Sequence, residues 1–142
     1  MAKVTQKKST ASATPIALGT GRRKSSVAQV RLYRNGSGKI TINDMDYLKY
    51  FPTDLTRLDA SSPLRAVSHA KMYDYQVKVT GGGKMGQADA TKLSIARALV
   101  KHDENFKGAL RDHGLLTVDS RLKERKKYGR KAARRGFQFV KR

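Results

Sequence analysis

The sequence predicts an α+β fold: a small layer made of a hairpin and one or two more strands, covered by helices, with a basic arm at each end. Three observations carry this. Residues 27–34 and 75–80 alternate apolar and polar side chains, as strands with one buried face do. From Gln87 to His102, Leu93, Ala96, Leu99 and Val100 fall on one stripe, the pattern of a helix lying on a sheet. The charge is unevenly spread. Of the net +20, residues 25–120 hold only +4, whereas residues 121–142 carry eleven Lys or Arg against the single acid Glu124.

The 142 residues suffice for one domain. Residues 1–18 read as a disordered basic extension, rich in Lys, Ser and Thr. They lack the apolar core of a signal peptide, and an organellar transit segment is the weaker alternative. The globular domain is assigned to 19–120. Arg22, Arg23 and Lys24 run straight into its first predicted strand, in which Ala28, Val30 and Leu32 share one face. Asn35-Gly36 is a hairpin signal, and the return strand, Lys39 to Ile42, turns Ile40 and Ile42 inward.

Asn43 or Asp44 is positioned to cap a short helix ended by Pro52. Ser61-Ser62-Pro63 reads as a second helix start, running to about Lys71. After the strand at Tyr75 to Thr80 come Gly81-Gly82-Gly83 and the long helix. Asp103 can cap a further helix, with Gly114 as its stop, and Leu115 to Val118 reads as a last strand or extended segment.

Gly81, Gly83 and Gly86 satisfy G-x-G-x-x-G between a strand and a helix. A nucleotide-binding enzyme is the runner-up function on that ground. It is set aside because the acid some twenty residues on, Asp103, opens a helix instead of ending a parallel strand. The glycines are read instead as a tight turn, or as an anion site beside Lys84. His69, His102 and His113 have no metal-type spacing. There is no cysteine and no nucleophile elbow, so neither a catalytic set nor a cofactor is expected. No segment approaches the roughly 18 apolar residues of a membrane span.

The tail, 121–142, cannot bury enough apolar surface to offset its ordering entropy. Its charge points to a polyanion, above all nucleic acid. Arg121, Lys123, Arg125, Lys126, Lys127, Arg130, Lys131, Arg134 and Arg135 are candidate RNA contacts, with Tyr128 and Phe137 interleaved to stack on bases. In the domain the candidates are Arg22, Arg23, Lys24, Arg31 and Lys84.

Gly21-Arg22-Arg23-Lys24-Ser25-Ser26-Val27-Ala28, Gly38 to Asn43, Val79 to Gln87, Ile95 to Val100, and the tail's ERKKYG, RKAARR and final Lys141-Arg142 together resemble bacterial-type small-subunit ribosomal protein nine. The resemblance covers about residues 19–142. It implies a four-stranded sheet with helices on one face, like the second domain of the fifth small-subunit ribosomal protein, with a left-handed crossover. It implies a structural role in the head of the small subunit, cytoplasmic in a bacterium, with an organellar ribosome as the alternative. Small-subunit ribosomal RNA and neighbouring head proteins would be its partners, and no membrane. The tail would reach peptidyl-site transfer RNA with Lys141 and Arg142. The chain departs from the family pattern at Lys84-Met85, at Gly136-Phe137, where Ala-Pro is more usual, and at Val140. A free-standing RNA chaperone is the remaining alternative.

Overall fold

The computed structural model describes residues 14–139. Most of the expected extension (residues 1–13) and Val140, Lys141 and Arg142 lie outside the described residues. The elements run β1 (Ala17–Arg23), β2 (Ser26–Tyr33), β3 (Ile40–Ile42), β4 (Met45–Asp46), α1 (Tyr47–Tyr50), α2 (Asp54–Ala66), a 3-10 turn (Ser68–Met72), β5 (Asp74–Thr80), α3 (Lys84–His102) and α4 (Phe106–Asp112). One five-stranded mixed sheet has the order β1-β2-β5-β3-β4, with β3 and β5 parallel and the other pairs antiparallel. The α+β class holds, with five strands where four were expected.

Two strands were not expected; one is the two-residue β4, and the longer is β1. It begins at Ala17, inside the range assigned to the extension, and pairs along its whole length with β2. Its inner face is Ala17, Gly19 and Gly21, so no large apolar side chain announces it. The glycines let α3 lie directly on the backbone. A Cβ on Gly19 would stand 2.1 Å from the Ser94 carbonyl oxygen, and one on Gly21 2.1 Å from that of Ala90. Ala90, Ser94 and Ala98, one helical turn apart, form the matching small-residue stripe.

The expected hairpin does not form. β3 pairs with β5, which lies between it and β2. Asp74, at the start of β5, accepts hydrogen bonds from the Ser37 and Lys39 amides at 2.8 and 3.1 Å, and Gly36 N donates to the Met72 carbonyl at 3.0 Å. The Asn35-Gly36 bend is thus folded against the entry to β5. Asn43 and Asp44 do not cap a helix. With φ of 46° and 65° they make the tight β3–β4 turn, and Asp46 caps α1. The Asn43 amide pairs with both the N–H and the C=O of Val79, extending β3 along β5.

Pro63 lies inside α2, which starts at Asp54 and not at Ser61. Pro63 cannot donate to the Asp59 carbonyl, and the Ser62 hydroxyl donates to it instead at 2.8 Å. Leu115 to Val118 forms no strand. Gly114 does stop a helix, as expected. At φ 66° it donates to Arg111 O while Leu115 N donates to Leu110 O, a Schellman closure of α4.

The core joins Val30, Leu32, Ile40, Ile42, Tyr75 and Val77 of the sheet to Phe51, Leu64, Ile95, Leu99 and Leu110. Full burial of each of the aliphatic side chains stabilises by roughly 1.5–3 kcal/mol. Helices cover one face only. On the other, Gln29, Arg31, Gln76 and Lys78 are exposed.

Candidate nucleic-acid interface

The basic triplet sits at the β1–β2 turn, and its three members have three different fates. Arg22, between buried Gly21 and half-buried Arg23, is exposed. Lys24 is exposed at φ 52°, in the tight turn between paired Arg23 and Ser26. Arg23 is turned inward, its side chain 17% exposed. Its Nη2 meets Asp119 Oδ2 at 2.9 Å, its Nε lies 3.5 Å from Asp89 of α3, and its Nη1 donates to the Arg121 carbonyl at 2.9 Å. Arg121 in turn forms a two-pronged contact with Asp119, which holds that carboxyl well below the usual carboxylate range.

Arg31 stands on the open face of the sheet. In the strand register it faces Gln76, and Lys78 is its diagonal neighbour opposite Gln29. These four, with Asn43 and Asp44, line a groove of about 490 Å³. The glycine turn is explained by packing. Gly81 and Gly82 take φ of 70° and 63°, and a Cβ on Gly82 would fall 2.0 Å from Ser26 Oγ. Ser26 and Gln87 both donate to the Gly81 carbonyl. Lys84, at the start of α3, rests its ammonium 3.4 Å from the centre of the Tyr50 ring and remains solvent-exposed. Asp103 receives Asn105 N at the entry to α4, so it is a turn residue and not the end of a strand. His102 bonds the Tyr73 hydroxyl at 3.0 Å, and His113 caps α4.

From Leu115 to Phe139 there is no helix or strand. Every tail cation among the described residues is exposed, as are Tyr128 and Phe139 at 97% and Phe137 at 68%. The tail nevertheless has internal order. Glu124 takes both Nε and Nη2 of Arg134, which lowers the Glu124 pKa, and Gly129 turns at φ 67° between them. Arg130 Nη1 donates to the Arg134 carbonyl, and Lys131 N to the Arg135 carbonyl. Arg125, Lys126, Lys127, Arg130 and Lys131 are therefore displayed on a closed loop.

Residues 21–142 match the family described as Ribosomal protein S9/S16. The chain belongs to that family. It is 52% identical over 122 residues to Small ribosomal subunit protein uS9 of Cytophaga hutchinsonii, a stretch covering 86% of this chain and 94% of that one. It is also 52% identical over 126 residues to the protein of the same name from Rhodopirellula baltica, covering 89% and 91%. A member of this family is a structural constituent of the small ribosomal subunit and not an enzyme, and its bacterial relatives put that subunit in the cytoplasm. Among the described residues no helix is long and apolar enough to cross a membrane.

The ribosomal family member thus presents its candidate cations in four places: the β1–β2 turn, the open sheet face, the start of α3 at Lys84, and the tail. Among the described candidates, Arg23 alone is turned inward. Sequence reasoning missed Asp89 and Asp119 because Arg23 and Asp119 are far apart in the chain, and no spacing rule spans that gap. Lys78 was legible as an outward strand residue; its place beside Arg31 follows only from the register.

Proposed function

We propose that this ribosomal protein binds small-subunit ribosomal RNA in the head of the subunit, and that its tail carries Lys141 and Arg142 to peptidyl-site transfer RNA. The observation that carries the reading is the tail itself: among the described residues, a run of exposed cations leaving a folded domain of much lower charge density. Arg22, Lys24, Arg31 and Lys84 are the domain's phosphate contacts, and Arg121 to Arg135 track the RNA backbone. Arg and Lys position a protein on phosphates and carry little sequence information, so RNA shape sets the site. Tyr128 and Phe137 stack on exposed bases or sugars. Neighbouring head proteins complete the assembly. The thirteen residues from Arg130 to Arg142 reach roughly 40 Å when extended.

Removing the last three residues tests the tip. Subunits carrying that deletion should assemble with normal stoichiometry yet hold peptidyl-site transfer RNA several-fold more weakly. Unchanged transfer RNA affinity and unchanged start-site fidelity would sink the assignment. Titrating the purified protein with ribosomal RNA and with dinucleotides at two salt concentrations separates it from the nucleotide-enzyme alternative. RNA binding should fall steeply with salt, and dinucleotide should not bind.

A further inference from the structure

We propose that Arg23 is a positioning residue for the tail and not an RNA ligand: it latches the tail's root to β1 and α3 and so sets the direction in which the tail leaves. The consequence for RNA rests on the reading above; the latch itself does not.

Both edges of the Arg23 fork are occupied within the protein. One edge meets Asp89 and Asp119, and Nη1 holds the Arg121 carbonyl at 2.9 Å. A phosphate needs an open edge for a two-pronged contact, which exposed Arg22 offers and Arg23 does not. The latch also has a rigid foundation. Asp89 pairs with Lys92 at 2.9 Å, and Lys92 lies 3.7 Å from Asp59, so a chain of charges runs from α2 through α3 to the tail's root. Leu122, the first large apolar residue beyond it, is 64% exposed and anchors nothing. Beyond Leu115 and Leu116, which still pack on the core, the polar contacts of Arg23 orient the exit.

Direction matters because the tail is long. Fully extended, residues 121–142 could span roughly 70 Å, so the root's direction decides where the first cations, up to the loop closed by Glu124 and Arg134, are displayed. Holding the root in its bound direction removes part of the ordering entropy that binding would otherwise cost.

The chain has no cysteine, so spin labels at Lys101→Cys and Leu122→Cys, neither of them an assigned RNA contact, report one distance in the full-length protein. Wild type should give a narrow distribution, and Arg23→Gln and Asp119→Asn should each at least double its width. Both variants should then bind a small-subunit ribosomal RNA transcript about 3–10-fold more weakly, with an unchanged salt slope. Asp119→Asn is decisive, because it makes the protein more positive, and simple attraction predicts tighter binding. It also keeps the test alive if Arg23→Gln does not fold. The proposal is overturned if Asp119→Asn binds as tightly as wild type, whether or not the distances broaden. It is equally overturned if the distances stay narrow, or if Arg23→Gln lowers the salt slope by about one neutralised phosphate. Should wild type itself fail to bind the transcript, the RNA reading falls, while the distances in free protein still judge the latch.

Discussion

A single methyl group on Gly21 would place carbon 2.1 Å from the Ala90 carbonyl oxygen, with Ser94 N at 2.6 Å. Those neighbours are backbone atoms of α3, which cannot swing aside as a side chain can. Gly21→Ala should therefore cost about 3 kcal/mol, the upper end for overpacking a tight core. Urea unfolding checks this: the midpoint should drop at unchanged slope, and an unmoved midpoint would show that α3 is not seated on β1 as described. The same residue shows where sequence reading stops. Gly21 was legible as part of a basic motif, but an inner face of Ala17, Gly19 and Gly21 carries no apolar alternation, so β1 left no periodic signal. Arg23 differs again: its charge was plain, and its direction was not.

At the scale of elements, β2, β5 and α3 were legible because each buries large side chains at its own period. The short pieces were not. Pairing of β3 with β5 instead of β2 depends on Asp74 gathering the Ser37 and Lys39 amides, an arrangement invisible to local pattern. In α2, Pro63 resembles a helix start because proline favours that position, whereas here the Ser62 hydroxyl compensates for it inside the helix.

The tail's loop makes its own prediction. Arg134 lowers the Glu124 pKa, so the clasp is fully present above the ordinary carboxylate value, about 4.3 for Glu, and is lost as pH falls through the depressed one. An NMR titration of the Glu124 carboxyl carbon in the free protein should show its inflection below that ordinary value, and Arg134→Gln should raise it. A wild-type inflection at the ordinary value would mean that the loop is open in solution.

For the molecule as a whole, the folded domain and the tail divide the work. The tail adds half the net charge and, beyond Leu116, no core residue. A chain ending at Ser120 retains Asp119 and the entire core, so its stability should stay within about 0.5 kcal/mol of full length. Its RNA affinity should fall steeply, and its salt slope should shrink by roughly 0.7–0.9 for each phosphate that the tail had neutralised. Equal slopes for the two chains would mean that the tail cations do not neutralise phosphates.

Local chemistry was enough to read the α+β class, the main strands and long helix, the Gly114 stop and the split between a weakly charged domain interior to the chain and a strongly basic tail. Each of these follows from side-chain period, backbone preference or charge within a short stretch. Tertiary structure alone decided the strand order, the existence of β1, the groove shared by Arg31 and Lys78, and the inward turn of Arg23. Those depend on contacts between residues distant in the chain, where close approach or a distant carboxylate, rather than local pattern, selects the arrangement.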